Sequence, residues 1–134
     1  MSRILTQLIY CFIAAMFCAC THESTNPPIL DDSYYSVKYV YEPEIRNTVS
    51  TKIEYTNEYG QFIEEHGGRS PKSFCVGPVK KGYTAKIRFS IPYSYIHIVC
   101  SIEISENGGP YIRKASTGSK TSKGSASYTI GSSN

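Results

Sequence analysis

The chain contains 134 residues, and its 14 Lys and Arg side chains against 11 Asp and Glu give a formal net charge of +3. A charge so close to balance excludes a strongly basic nucleic-acid-binding domain, which would carry a dense cationic patch. The length allows one ordinary domain behind a leader, and 12 Tyr without any Trp favour β-strands with half-buried surfaces.

Residues 1–19 have the pattern of an export signal. Arg3 is the only charged side chain before Cys20, and the apolar run Leu8–Phe17 follows it. A basic start, an apolar stretch of about 7–15 residues and a small residue before the cut are typical of a secretory signal peptide. The run is shorter than the roughly 20 residues that a membrane-spanning helix needs. We therefore expect the leader to be removed on export.

The end of this leader resembles the signal of bacterial lipoproteins, in which the cysteine after the cut carries diacylglycerol. Ala19 and Cys20 match the last two positions of that motif, while Phe17 and Cys18 depart from its commoner residues. The resemblance implies lipidation at Cys20, with Cys18 as the alternative acceptor. Acyl chains contribute about 0.8 kcal/mol of membrane affinity for each buried methylene. We expect the domain to lie outside the cytoplasm in the bacterial cell envelope, anchored to the outer membrane.

A polar tether, residues 20–33, follows the anchor, and its Pro27 and Pro28 favour extended polyproline geometry. From Tyr34 onward the hydrophobic pattern alternates with period two, which indicates half-buried strands. Turn-forming residues separate these strands, as in the segment Asn57–Gly60. The first three predicted strands are Tyr35–Tyr41, Val49–Tyr55 and Gln61–Glu65.

Strand-like patterns continue to the end of the chain. Gly77 and Pro78 interrupt one of them, which indicates a sheet edge or a bulge. Asn107 followed by Gly108 is among the strongest short-range hairpin signals, because both residues tolerate positive φ. Cys100 shares one face of the clearest strand with isoleucines, so we expect it in the core. The remaining predicted strands are Ser73–Val79, Tyr83–Ile91, Tyr95–Ser105, Pro110–Ser116 and Ser125–Ile130.

The count of about seven to eight short strands, with no helical period after the leader, predicts an all-β fold. We expect a single antiparallel immunoglobulin-like β-sandwich over residues 34–131, with residues 132–134 as a frayed tail. A sandwich is favoured over a barrel because the strands are uneven in length and one internal cysteine pair is present.

Cysteine usage is informative because Cys11, Cys18 and Cys20 belong to the leader and anchor. The mature domain keeps Cys75 and Cys100. Two cysteines in an exported domain most simply form one disulfide. Such a bridge would close a loop of about 25 residues and stabilise the fold by roughly 3 kcal/mol in the chain-entropy picture. The alternative is a pair of buried free thiols.

Several stretches carry a resemblance to a known family: Val37–Val40, Ile53–Gly60, Val79–Phe89 and Cys100–Ile104. In this order, behind an export leader, they resemble the small immunoglobulin-like envelope proteins of the MmpS-like kind and related small lipoproteins, over residues 35–130. The resemblance implies a β-sandwich with an accessory or binding role beside envelope transport machinery, and it implies no enzyme active site. The chain departs from such proteins in lacking a cysteine in Ser125–Asn134 and in having a lipid signal instead of a membrane helix.

The sequence predicts no catalytic site, no metal site and no cofactor. Nucleophilic catalysis needs a Ser or Cys beside an oriented base, but His22, His66 and His97 fall in the tether, a glycine loop and a wet strand face. No Cys or His pair has the spacing of metal ligands. Glu54 and Glu103 are on predicted outer faces, so we expect surface salt bridges there rather than a converging glycosidase pair.

A binding role through loops or a sheet edge is the function that the sequence favours. The candidate ligand patch combines Tyr93 and Tyr95 with Lys120 and Lys123 of the loop Thr117–Gly124. Aromatic and cationic side chains together suit a glycan, a peptide or an anionic surface. Three classes stay open: an accessory protein with an envelope protein partner, an extracytoplasmic ligand-binding module, and an inhibitor of an exported hydrolase.

Overall fold

The computed structural model describes residues 31–44, 50–92, 96–119 and 121–132. Within these ranges the chain forms strands and no helix. The predicted signal peptide, Cys18 and Cys20 lie outside the described residues. The strands are β1 Tyr35–Pro43, β2 Thr51–Thr56, β3 Phe62–Gly67, β4 Lys72–Val79, β5 Thr84–Ser90, β6 Ile98–Glu106, β7 Ile112–Ser119 and β8 Lys123–Thr129.

These strands form two antiparallel sheets that pack against each other. Sheet A has the order β4-β1-β6-β7, and sheet B has the order β3-β2-β5-β8. One cluster of buried apolar side chains from both sheets fills the space between them. All strands lie within the compact unit Asp32–Asn134. The predicted all-β sandwich is therefore confirmed.

The strand order can be compared with that of an immunoglobulin domain. In an immunoglobulin domain, strand B pairs with E in one sheet, and C, F and G are neighbours in the other. Here β1 pairs with β4, while β2, β5 and β8 are neighbours. Strands β1, β2, β4, β5 and β8 thus occupy the positions of B, C, E, F and G. The order departs from that of an immunoglobulin domain at the β6–β7 hairpin, which separates β5 from β8 in the chain and occupies the place beside β1 that strand A usually fills.

Side-chain alternation along β6 is confirmed on one face and corrected on the other. Cys100 and its isoleucine neighbours Ile98, Ile102 and Ile104 are buried, as predicted. The alternation that puts Cys100 in the core predicts the opposite, solvent-facing side for Ser101 and Ser105, but they are buried as well. The physical reason is that β6 lies inside sheet A, between β1 and β7. Long side chains of those strands, Lys38 and Arg113, extend over this face to reach Glu103.

The structure shortens the predicted loop Thr117–Gly124. Strand β7 continues to Ser119, which pairs with Ile98, and β8 begins at Lys123, which pairs with Ser90. The polar sequence hid these strand ends, because exposed edge strands need no alternating apolar residues. Their conformation comes instead from hydrogen bonding to a neighbouring strand.

Two tyrosines of β1 extend across the core from sheet A to sheet B. The Tyr39 hydroxyl donates to the Thr56 carbonyl at 2.9 Å and lies 2.8 Å from Thr56 Oγ1. The Tyr41 hydroxyl donates to the Gly68 carbonyl at 2.9 Å and lies 3.1 Å from Thr51 Oγ1. Thr51 and Thr56 are the two ends of β2. Each end of this strand is therefore hydrogen-bonded to the opposite sheet.

Cys75 and Cys100 are free thiols, so the disulfide expected from the sequence is not formed. Cys75 is exposed in the edge strand β4 opposite Lys38, and Cys100 is buried in β6 opposite Tyr41. Strand β1 lies between β4 and β6, and the two registers direct the cysteine side chains to opposite faces of sheet A. Cysteines whose Cβ vectors point apart cannot be bridged without moving the backbone.

Candidate functional site

The outward side of sheet B contains a shallow groove of about 440 Å³ across β2, β5 and β8. Strand pairing arranges its polar side chains in two rows. In one row Lys52, Ser90 and Lys123 are cross-strand neighbours. The other row consists of Glu54, Arg88 and Ser125. We call this surface the polar groove and define it by the outward side chains Lys52, Glu54, Arg88, Ser90, Lys123 and Ser125.

A bidentate ion pair between Arg88 and Glu54, which we call the clamp, lies at the centre of the polar groove. Arg88 donates from Nε to Glu54 Oε2 at 2.8 Å and from Nη2 to Glu54 Oε1 at 3.1 Å. Such a two-point contact fixes the guanidinium plane as well as its position. The same guanidinium lies over the Phe62 ring, with its carbon 4.0 Å from the ring centroid. Arg88 is therefore held by a carboxylate on one strand and an aromatic ring on another.

The charges on this side of sheet B continue to the edge strand β3. Lys52 Nζ lies 3.0 Å from Glu64 Oε2 and 3.6 Å from Glu54 Oε1. Hydrogen bonding by Arg88 lowers the pKa of Glu54 against the opposing effect of desolvation, and the charges of Arg88 and Lys52 add to that lowering. The carboxylate of Glu54 is consequently ionised and committed to two cations at neutral pH.

Lys123 differs from the other cations of the polar groove. It is exposed, and among the described residues it forms no ion pair, whereas Lys52 and Arg88 do. The groove continues past Arg88 into a second depression of about 350 Å³, where Lys86 likewise has no carboxylate within ion-pair distance among the described residues. Two uncompensated ammonium groups therefore flank the clamp.

Of the predicted ligand residues, Lys123 is the one that the structure places in this site. Tyr93, Tyr95 and Lys120 lie outside the described residues. Lys123 stands at the start of β8 and not in a loop, because its backbone pairs with Ser90. Lys123 is thus the one residue of the predicted ligand patch whose position the structure describes.

The residues considered for catalysis lie apart from one another. His66 Nε2 is 3.4 Å from Glu64 Oε1 on an exposed strand edge, and His97 is exposed in another part of the sandwich. Glu54 belongs to sheet B, whereas Glu103 belongs to sheet A and pairs with Lys38 at 2.7 Å. The described part of the chain holds no group of three His, Cys, Asp or Glu side chains that could bind a metal ion.

The Glu54–Arg88 clamp was not identified from the sequence. Alternation could place Glu54 and Arg88 on the wet faces of their strands, but these residues are 34 positions apart. Their contact depends on β2 pairing with β5, which periodicity does not specify. Phe62 was a partial indication of this site, because a large aromatic ring on an exposed strand is often covered by another side chain, here that of Arg88.

Comparisons with known proteins give no family for this chain. No protein-family model and no curated protein matches it. Among the described residues, no helix has the length and apolar character required to cross a membrane.

Proposed function

We propose that this protein is a non-catalytic binding module of the bacterial cell envelope, lipid-tethered at Cys20, whose polar groove takes an acidic glycan. The observation that carries the proposal is the pair of uncompensated cations, Lys123 and Lys86, on either side of the clamped Arg88. A chain of sugar carboxylates or sulfates would match these charges. The exposed hydroxyls of Ser125 and Ser127 add hydrogen-bonding groups between them.

The clamp supports binding because it removes the mobility of a long side chain before the ligand arrives. Arg88 is already ordered by Glu54 and Phe62, so a ligand that contacts its free edge loses less conformational entropy on binding. Shallow surfaces that carry several charged side chains suit extended hydrophilic chains better than compact apolar ligands. A flat groove on a rigid sheet fits this description.

The test is retention of the detergent-solubilised protein on immobilised polygalacturonate, with immobilised dextran as the neutral comparison. We expect retention on the acidic polymer alone, weakening as salt is added, because exposed charge pairs are screened. Lys123→Met should lower the affinity about fivefold, as expected for the loss of one charge-assisted contact. The matched control is Lys80→Met, which removes an exposed lysine in the β4–β5 turn. Equal retention of both variants and the wild type would refute the proposal.

The tether is a separate part of the proposal and has a separate test. It is supported by the leader, in which Ala19 and Cys20 match the lipoprotein pattern. Cys20→Ala should move the protein from the membrane fraction to the soluble fraction on cell fractionation. If the Cys20→Ala variant remains in the membrane fraction, the assignment passes to Cys18 and is tested by Cys18→Ala.

An accessory role beside envelope machinery is the second candidate, and the edge strand β4 favours it. Among the described strands, none lies beyond β4 in sheet A, and an edge of this kind can accept a strand from a partner protein. Pull-down of the lipidated protein from its own membranes separates the two candidates. A stoichiometric protein partner whose capture is unaffected by Lys123→Met would favour the accessory role.

A further inference from the structure

A cleft of roughly 570 Å³ opens between the sheets beside the β6–β7 hairpin. Ile112 pairs with Ile104 and therefore lies on the same, core-facing side of sheet A. Nevertheless Ile112 is 53% exposed, whereas Ile104 is 6% exposed. Tyr35 and Ile130 complete the apolar walls of the cleft. An isoleucine on the core side can be exposed in this way only where the opposite sheet fails to cover it.

The separation of the sheets here follows from the course of β7 and β8. The two strands are in contact near their connection. A Cβ atom added to Gly124 of β8 would lie only 2.7 Å from Thr117 Oγ1 of β7. At the other ends of the strands, Ile112 of β7 and the end of β8 border the cleft instead. The two edge strands therefore diverge, and the opening is a property of this side of the sandwich.

A bulge in β7 brings one cation to the cleft. Ile102 pairs with Ala115 and Glu103 pairs with Arg113, so Lys114 has no partner on β6. Bulges of this kind redirect a side chain out of the normal alternation. Lys114 Nζ consequently lies 6.0 Å from the centroid of the Tyr128 ring, which belongs to the opposite sheet. Among the described residues, Lys114 forms no ion pair.

The hairpin end of the cleft has the opposite charge. Glu106 lines the cleft there, and its Oε1 accepts a hydrogen bond from the Tyr35 hydroxyl at 3.2 Å. A ligand anion would be repelled from this end and attracted to Lys114. The two ends of the cleft therefore distinguish the head of an amphiphilic ligand from its tail.

We infer that this cleft binds a free carboxylic acid with an aliphatic chain, with its carboxylate at Lys114 and its chain along Ile112, Ile104 and Ile130. Ligand sites in proteins are concave, mostly apolar, and typically about 300–1,000 Å³ in volume, with a few polar groups that fix the orientation. The cleft has these features, with one cation as its anchor. The inference is independent of the polar groove, which lies on the outward side of sheet B.

The experiment uses the full chain in neutral phosphatidylcholine vesicles and a dodecanoate probe that carries a photoreactive diazirine at its chain end. After irradiation, peptide mass spectrometry locates the cross-links. We expect them on the peptides that contain Ile104, Ile112 and Ile130. Unlabelled dodecanoate should suppress cross-linking about tenfold more effectively than dodecanol, because only the carboxylate makes a charge-assisted contact with Lys114.

Lys114→Met keeps the aliphatic stem and removes the charge, so it should abolish the preference for dodecanoate over dodecanol. Lys72→Met, on the edge strand β4 at the other side of sheet A, is the matched control and should retain the preference. Circular dichroism verifies that both variants keep the β fold. The inference is overturned if the cross-links map outside the cleft, if both competitors are equally effective on the wild type, or if Lys114→Met retains the preference.

Discussion

At the residue scale, buried tyrosine hydroxyls organise the core of this sandwich. The Tyr83 hydroxyl donates to the Asn57 carbonyl at 2.6 Å and lies 3.3 Å from the Tyr39 hydroxyl. Thr56 Oγ1 also accepts the backbone N–H of Lys86 at 3.0 Å. Burial raises the pKa of Tyr39 far above its ordinary value, so the hydroxyl keeps its proton at physiological pH. A hydrogen-bonded cluster thus joins β1, β2 and β5.

Removing the Tyr39 hydroxyl should destabilise the domain. Tyr39→Phe leaves the buried Thr56 oxygens with fewer donors, although Tyr83 and Lys86 still contact them. We expect a loss of about 1–2 kcal/mol in the free energy of unfolding, as is usual for one buried hydrogen bond. Urea denaturation measures it, with Tyr59→Phe at a position 80% exposed as the matched control. Equal stability of both variants would show that the cluster contributes nothing.

The two cysteines of the domain should differ in reactivity. Cys75 is exposed, whereas burial raises the pKa of the Cys100 thiol to about 12, with the Glu42 carboxylate adding to the shift. Because the thiolate is the nucleophile, iodoacetamide should label Cys75 in the folded, unreduced protein and Cys100 only after unfolding. Peptide mass spectrometry reads each site. If both cysteines resist labelling in denaturant until a reductant is added, they are bridged and the structural assignment is wrong.

At the element scale, the alternating strands were predictable and their partners were not. The faces of β1 and β5 follow from the sequence because Val37, Tyr39, Ile87 and Phe89 must avoid water. The break at Gly77 predicted an edge or a bulge, and β4 is an edge strand in which Gly77 and Pro78 together lie opposite the single residue Ser36 of β1. The predicted Cys75–Cys100 disulfide was wrong for a related reason, because the sequence did not show that β1 separates the two strands that carry these cysteines. Period two gives the phase within a strand, but it does not say which strands are neighbours.

A substitution at Gly67 can test how closely the backbone of β3 approaches the core. A Cβ there would lie 2.6 Å from Tyr41 Cε1 and 2.8 Å from Ile53 Cδ1, both in buried side chains. Gly67→Ala should therefore cost about 1–3 kcal/mol of stability through overpacking. Gly68→Ala is the matched control, since nothing lies within 4 Å of its Cβ position. Thermal or urea unfolding should separate the two variants, and similar unfolding curves would contradict the close approach.

At the scale of the whole molecule, the sandwich presents two different surfaces. The polar groove on sheet B is lined by ion-paired charges, whereas the cleft between the sheets combines isoleucine side chains with one lysine and one glutamate. Lys123 was predicted as a ligand residue, but its neighbours in the groove come from β2 and β5, far away in the chain. The sequence could supply the residue types, and only the pairing of distant strands brings them together. The cleft has the same origin, because it depends on how two edge strands diverge.

The most direct test of the proposed function is amide chemical-shift mapping of the isotopically labelled protein during titration with polygalacturonate. The account predicts shifts concentrated in the middle of β5 and the start of β8, around Arg88 and Lys123, and their loss in the Lys123→Met variant. Shifts confined to the cleft around Ile112, or no shifts at all, would contradict a glycan site in the polar groove.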